Sequence, residues 1–431
     1  MSNESPAGAT TSSPAGHNWA GNVRFTAPRI AHPTSVDELA ELVRAAAHVR
    51  AVGSRHTFTA LADSAELIVS TEALPAEVTV DADARTASVS GGMRYAEVAR
   101  ELHARGWALR AMASLPHITV AGAIATGTHG SGDAVGSLAS AVTALDVVRS
   151  DGSLVTVRRG DADFAGAVVA LGALGVVTRV ELAVEPTYGM TQVVDRGLPW
   201  ESALADLDAV FGSADSVSMF TTWADPERVD QVWRKTRGAE VPEPLPGSVR
   251  AGEPGHPLPG GPAENCTDQT GEPGPWFERL PHFRAEFTPS NGDELQSEYF
   301  VPRDRAAEAI AAVRALAASP GVGDELRRLL FVSELRSIRA DELWLSGAYG
   351  RDVVGIHFTW RRDEPAVRAL LPQLEAALAP FGARPHWGKV FTLAADELAA
   401  LYPRWGDFAE LRARWDARGA FRNGQLESWG F

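Results

Sequence analysis

Nineteen consecutive positions, Ser114–Gly132, constrain this chain more than any other feature. The run Ser-Leu-Pro-His-Ile-Thr-Val-Ala-Gly-Ala-Ile-Ala-Thr-Gly-Thr-His-Gly-Ser-Gly mixes small side chains, hydroxyls and glycines. Side chains this small let backbone approach a second surface closely. Two uses are open: contact with a large ligand, or a glycine-rich structural loop. The run lacks the Gly-x-Gly-x-x-Gly spacing of a dinucleotide fingerprint and the lysine of a Walker loop, so it implies neither fold. A second short motif, Val52-Gly53-Ser54-Arg55-His56-Thr57-Phe58, follows a predicted strand at Val49–Val52. Glycine-containing turns of this kind present successive N–H groups to a phosphate. His56 sits in the turn, off any core face.

Around these motifs the N-terminal region alternates strands and helices. Ser35 and Glu38 fit a capping box ahead of Val36, Leu39, Leu42 and Val43, which recur at helical spacing. A second helix is expected over Arg94–Arg105, ended by Gly106. Asp151-Gly152 between Leu145–Arg149 and Leu154–Val157 signals a hairpin. The start, residues 1–17, is rich in Ser, Pro, Ala and Gly and reads as a disordered tail. Glu240–Pro275 carries nine of the chain's 27 prolines and seven glycines. It is either a loose linker or a long ordered loop over a site, ending at Trp276-Phe277. Beyond it, strands are expected over Leu295–Phe300, Phe331–Arg336 and Asp352–Trp360, and helices over Asp304–Ala318 and Glu364–Phe381. The pattern is an antiparallel sheet backed by helices, a separate α+β domain.

Composition narrows the partners. A formal net charge of -15 excludes the basic footprint of a nucleic-acid binder. The longest apolar run, Phe164–Val177, falls short of the roughly 20 residues needed to span a membrane. The single cysteine, Cys266, excludes an internal disulfide framework, and a cytoplasmic location is expected. Of the 40 basic residues only Lys235 and Lys389 are lysines. A GC-rich genome accounts for the arginine bias and leaves open why these two positions keep an ammonium, whose chemistry differs.

Polar residues on the apolar strands are the last candidates. Gln296 and Glu298 share one strand face, Glu334 and Arg336 another, and His357 and Thr359 a third, by the period of two. Lys389 lies in Trp387-Gly388-Lys389-Val390-Phe391. Such faces are either solvated and salt-bridged, or they line a pocket for a polyhydroxylated ligand, which needs many fixed donors and acceptors.

Taken together, these residues resemble the alditol (xylitol) oxidases, within the vanillyl-alcohol-oxidase type of FAD-linked oxidases. The resemblance runs from Asn18-Trp19-Ala20-Gly21-Asn22 to Gly419-Ala420-Phe421-Arg422-Asn423. It is strongest over Met112–Gly132, Leu280–Thr288 and Arg384–Phe391. It implies an α+β fold with a discontinuous FAD-binding domain of two α+β subdomains (PCMH-type, residues 18–184, with a return at 394–431). A central α+β substrate domain on an antiparallel sheet, residues 185–393, completes it. The resemblance further implies FAD linked covalently through His56. Ala51, Val52, Gly53, Ser54, Arg55, Thr57, Ser114, Thr119, Gly122, Thr126, Gly127, Thr128, His129 and Val177 would contact the flavin. Gln296, Glu334, Arg336, Thr359 and Lys389, with Ser114, would form the substrate pocket. Arg55 stands where some relatives have glycine before the linking histidine, which either reshapes the turn or adds charge near the phosphates. Thr57 replaces a serine and keeps the hydroxyl. The connection Ala315–Arg328 is slightly long for the family.

The implied activity is oxidation of the terminal primary alcohol of alditols such as xylitol and sorbitol to the aldehyde, with oxygen reduced to hydrogen peroxide. Lys389 and Arg336 would favour alkoxide character at the reacting oxygen, and Glu334, Gln296, Thr359 and Ser114 would hold other hydroxyls. His357 is a candidate base, with a structural role as the alternative. No metal is expected, and the chain is expected to act as a monomer. Two other readings remain: an aldonolactone oxidase of the same superfamily, and a flavin-binding protein without turnover.

Overall fold

The computed structural model describes residues 10–287 and 293–431. Thr288 of the family-like stretch lies outside the described residues. The first sheet joins β1 (Thr11–Ser13), β2 (Ile30–His32), β3 (Val49–Val52) and β4 (Leu67–Ser70) in the order β1-β2-β4-β3. Helix α1 (Val36–Ala45) connects β2 to β3. The tail expectation is corrected for residues 10–17, while residues 1–9 lie outside the described residues. Residues 11–13 pair antiparallel with β2, and Ala15 is buried, so the ordered chain begins well before residue 18. The capping box is also displaced by one residue. Ser35 accepts from Glu38 N–H, but the Glu38 carboxylate accepts from Thr34 N–H at 2.6 Å rather than from Ser35 N–H.

The second sheet is antiparallel, in the order β5-β6-β10-β8-β9. Its strands are β5 (Val78–Asp81), β6 (Thr86–Ser90), β8 (Val142–Val148), β9 (Leu154–Arg158) and β10 (Val176–Ala183). Helix α2 (Tyr95–Ala104) ends where Gly106 turns the chain at φ 81°, then β7 (Trp107–Ala108) pairs with β11 (Glu185–Pro186). The Ser114–Gly132 run supplies the short helix α3 (Val120–Ala125), flanked by loops. The one-turn α4 is Phe164–Ala167.

The central unit is a nine-stranded antiparallel sheet. Its strands are β12 (Gly189–Pro199), β13 (Ser216–Thr221), β14 (Arg228–Arg237), β15 (Val249–Arg250), β16 (Gly274–Pro275), β17 (Glu294–Pro302), β18 (Leu330–Ile338), β19 (Val353–Arg361) and β20 (Arg384–Pro385). Short helices α5 (Trp200–Ala205) and α6 (Leu207–Phe211) follow β12. Helices α7 (Ala306–Ala318), α8 (Val322–Leu329) and α9 (Glu364–Leu378) cover one face of the sheet. Alternation along β17 shows how: Tyr299 points to the helix side and donates to Glu375 at 2.7 Å, while its neighbour Glu298 points the other way.

Glu240–Pro275 is an ordered loop. Arg250 donates to buried Asp195 at 2.7 Å, Gln192 donates to the Asp268 carbonyl at 2.7 Å, and Gln269 bonds Gly255 in both directions. The chain then returns to the first unit. Helices α10 (Ala395–Leu401), α11 (Trp405–Trp415) and α12 (Gly424–Ser428) close it. Arg50, fully buried, donates to carbonyls of Leu61, Leu171, Gly172 and Phe421, and so fastens the C-terminal segment behind β3. Among the described residues no helix is long and apolar enough to cross a membrane.

Candidate active site

One cavity lies between the N-terminal unit and the open face of the central sheet. Its first wall is the turn after β3 and the Ser114–His129 segment. Gly53 is required there: a Cβ would lie 2.0 Å from Thr119 Oγ1. Ser54, Arg55, His56, Thr57, Ser114, Thr119, Gly122, Thr126, Thr128, His129 and Val177 all line the cavity. Gly127 is the exception. It does not line the cavity; at φ 70°, with its N–H on the Ile124 carbonyl, it ends α3.

His56 stacks on Trp19, with ring centroids 4.9 Å apart. Burial pushes its pKa down to about 4, so the ring is neutral, and its buried Nδ1 has no hydrogen-bond partner in the protein. Arg55 adopts φ 62°, the left-handed region that suits glycine, and its guanidinium reaches the Ala15 carbonyl at 3.3 Å. The arginine therefore strains the turn and anchors the N-terminal strand.

The second wall is built by register. Gln296 faces Thr359 across β17 and β19, and Glu298, His357 and Glu334 form a row across three strands. The solvated-face reading fails for these side chains. Glu298 is 1% exposed, and Glu334, Arg336, His357 and Thr359 are all buried. Buried charges must be paired, and each one is. Glu298 meets Lys389 Nζ at 2.5 Å, Arg336 Nη2 at 3.3 Å and His129 Nε2 at 3.1 Å. Burial alone would raise the Glu298 pKa; Lys389, His129 and Arg336 overrule it and hold the carboxylate well below its ordinary range. Glu334 contacts Arg336 Nε at 3.5 Å and His282 Nε2 at 2.6 Å, and it too is held low against burial by Arg336 and His282. Arg336 donates to Ser114 Oγ at 3.2 Å, joining the two walls.

Lys389 is no surface lysine. It lines the cavity, burial pulls its pKa below the ordinary value against Glu298, and it contacts His357 Nδ1 at 2.7 Å. His357 Nε2 lies 2.9 Å from Thr359 Oγ1. Both ring nitrogens are therefore engaged, and burial and Lys389 push its pKa down to about 4. His129, Glu298 and His386 offer ligand atoms within 4.8 Å of one another, but Lys389 and Arg336 already hold Glu298, and a metal ion would have to displace them.

Sequence reasoning missed several residues of the site. Glu298, placed beside Gln296 on a strand face but given no role, is its electrostatic centre. His256, Pro257 and Leu258, from the proline-rich loop, line the cavity, as does His282 from the Leu280–Thr288 stretch. Lys235 stands behind His282. The rarity of lysine was the only signal for Lys235, and it gave no location.

Comparison with known proteins agrees with this layout. An FAD binding domain model matches residues 27–158, and a D-arabinono-1,4-lactone oxidase model matches residues 292–429. An alditol oxidase from Streptomyces sp. is 47% identical over 409 residues, covering 94% of this chain and 96% of that protein. The chain belongs to the alditol oxidase family. An L-gulono-1,4-lactone dehydrogenase from Mycobacterium tuberculosis is 30% identical over 441 residues, covering 95% and 98% of the two chains. A cholesterol oxidase from B. sterolicum shares the fold, with a TM-score of 0.79 at 14% identity over 98% of this chain and 97% of that one. This family member is accordingly an oxidoreductase with FAD as cofactor. The first wall fits that group: a glycine with no room for Cβ, exposed turn backbone, and a neutral histidine with an orphaned buried nitrogen.

Proposed function

We propose that the chain oxidises the terminal primary alcohol of linear polyols such as xylitol and sorbitol, giving the aldehyde and hydrogen peroxide, with FAD carried covalently on His56. In this reading the discontinuous unit 18–184 with 394–431 holds the flavin and 185–393 the substrate. The observation that carries it is the buried row Glu298–His357–Glu334 with Lys389 and Arg336 beside it. A polyol carries a hydroxyl on every carbon, and each must find a partner when it leaves water. Glu334, Gln296, Thr359 and Ser114 supply partners of both senses. The similarity to a protein named alditol oxidase supports the same substrate class.

Held by the turn at Gly53–Thr57 and the Ser114–His129 segment, FAD would supply a two-electron acceptor for the oxidation of the alcohol, with oxygen as the final acceptor. The remaining work falls to the chain. The ammonium of Lys389 and the guanidinium of Arg336 place positive charge where the alcohol oxygen gains negative charge, and they need no reorganisation to do so. With both nitrogens engaged, His357 orients Lys389 and Thr359; to accept a proton it must first release one of them. The burial of Glu298, Glu334 and Arg336 strengthens each of these interactions relative to water.

The lactone oxidase model over residues 292–429 favours a second reading, oxidation of an aldonolactone. Peroxide formation with xylitol, 1-pentanol and L-gulono-1,4-lactone separates the two. Each hydroxyl missing from 1-pentanol leaves a buried partner unpaired, at about 1–3 kcal/mol, so xylitol should be far the better substrate. Equal efficiency for xylitol and 1-pentanol, or turnover of the lactone alone, rejects the polyol pocket. Peroxide from none of them would leave a flavoprotein without turnover. The colour of wild type should stay with the acid-precipitated chain and be lost in His56→Ala; free flavin from wild type rejects the covalent link.

A further inference from the structure

The chain's two lysines occupy equivalent places. Each ammonium lies against the Nδ1 of a buried histidine whose Nε2 points at a pocket residue. Lys389 is 2.7 Å from His357 Nδ1, and His357 Nε2 is 2.9 Å from Thr359 Oγ1. Lys235 is 3.0 Å from His282 Nδ1, and His282 Nε2 is 2.6 Å from Glu334 Oε1. Lys235 itself does not line the cavity. It is 1% exposed, and it also donates to the carbonyls of Leu280 at 2.5 Å and Pro281 at 3.1 Å.

The hydrogen count along this chain has one satisfactory solution. Glu334 is an ionised carboxylate and can only accept. A contact of 2.6 Å therefore requires a hydrogen on His282 Nε2. A neutral imidazole with that hydrogen carries a lone pair on Nδ1. The atom facing Nδ1 must donate, and an ammonium has three hydrogens for its three acceptors: two carbonyls and Nδ1. We propose that Lys235 is a positioning residue: its ammonium locks His282 in the Nε2–H tautomer, and that hydrogen bond fixes the Glu334 carboxylate toward the substrate. The inference rests on the polyol reading of the pocket. Arginine would not serve, because its planar fork cannot aim three hydrogens around one point.

The surroundings favour a lock over a titrating histidine. Phe220 and Trp233 pack edgewise on the His282 ring at centroid distances of 5.5 and 5.2 Å. The charged or titratable groups facing the pair are Glu334, Arg336 and Cys266, with the Ser218 hydroxyl 3.4 Å from Nε2. Burial and Lys235 push the His282 pKa down to about 4, so the ring stays neutral above that. Burial pushes Lys235 itself down to about 7, against the attraction of the Glu334 carboxylate.

Two measurements test this. In histidine-labelled holoenzyme, long-range nitrogen–proton spectra should show the His282 ring as neutral Nε2–H at pH 6, assigned by its absence from His282→Gln. An Nδ1–H tautomer or a cationic ring overturns the proposal, and this arm needs neither a Lys235 variant nor turnover. In Lys235→Met, Nδ1 loses its donor, and the ring is free to move its hydrogen to Nδ1 and turn a lone pair toward Glu334. We expect normal flavin content, a KM for xylitol raised on the order of 10- to 100-fold, and a smaller change in kcat. Adding His282→Gln supplies an amide donor without tautomers and should recover part of the loss. An unchanged KM in Lys235→Met, or a double variant worse than the single one, overturns the proposal. Failure of wild type to oxidise xylitol would reject the polyol reading and leave the tautomer result standing.

Discussion

Replacing Lys389 by arginine keeps the charge and changes its shape, and the structure says what that should do. The ammonium sits 2.5 Å from Glu298 Oε2 and 2.7 Å from His357 Nδ1. Its side chain is 12% exposed, so there is little solvent into which a longer group can turn. A guanidinium spreads its charge over a plane wider than the gap between those two partners, and Arg336 already fills the other side of Glu298. The positive centre must move away from the reacting oxygen. Loss of one preorganised donor to a developing oxyanion costs on the order of 10²–10³ in rate, or about 2.7–4 kcal/mol. Lys389→Met should lose at least as much. The assay is the anaerobic reductive half-reaction with saturating xylitol, with bound flavin measured on the same samples. Flavin content should be unchanged, because Lys389 approaches from the central sheet. A limiting rate for Lys389→Arg within about threefold of wild type, far short of the loss expected for an oxyanion contact, would refute the reasoning. It would leave Lys389 as the structural partner of Glu298.

Other outcomes follow from the same geometry. Arg55→Gly relieves a left-handed non-glycine residue and should stabilise the holoenzyme by about 1 kcal/mol, read as a higher urea midpoint; a lower midpoint would mean that the contact with Ala15 outweighs the strain. Glu298 is held well below the ordinary glutamate value of 4.5 in the folded chain, so the stability its ionised form contributes is complete above that pH and drains as pH falls below it. Thermal midpoints between pH 3 and 6 should therefore fall less steeply for Glu298→Gln than for wild type, although the variant, with Lys389 and Arg336 left short of a counter-charge, is less stable at pH 7. Equal slopes would refute the assignment.

Much of the architecture was legible because it rests on local rules. Period-two alternation located β17, β18 and β19, and the Asp151-Gly152 turn located the β8–β9 hairpin. What alternation could not decide was which face is wet. Gln296, Glu298, Glu334, Arg336, His357 and Thr359 look like a solvated face until a second unit is placed over them, and no local pattern reports that covering. Gly127 shows the opposite difficulty. In a run rich in glycine every position invites a ligand, yet this one serves a helix end. The tail failed for a similar reason: Thr11–Ser13 has no strand signal of its own and is ordered by the edge of β2. The proline-rich loop was undecidable because its order comes from distant partners, Gln192 and Asp195 on β12. His282 and Lys235 are further apart in sequence than any motif, and only the sheet brings them together.

The charges of the pocket add up to an argument about chemistry. Glu298 and Glu334 are opposed by Lys389 and Arg336, and that set alone is neutral. A network built only to hold two walls together has no reason to go further, since each additional buried charge costs desolvation that nothing repays. Lys235 goes further. With no carboxylate of its own and only carbonyls and a neutral ring around it, it leaves the cluster with one positive charge in excess while it remains an ammonium. Such an excess is unfavourable for a resting protein and favourable for a reaction that gathers negative charge on a substrate oxygen, because in a water-excluded site the field is neither screened nor reorganised. The two lysines therefore divide one task. In the proposed reaction Lys389 acts at the oxygen itself, while Lys235 would fix the tautomer behind Glu334 and add to the same field from outside the cavity. That division gives a physical reason for a chain otherwise committed to arginine to keep an ammonium at both places.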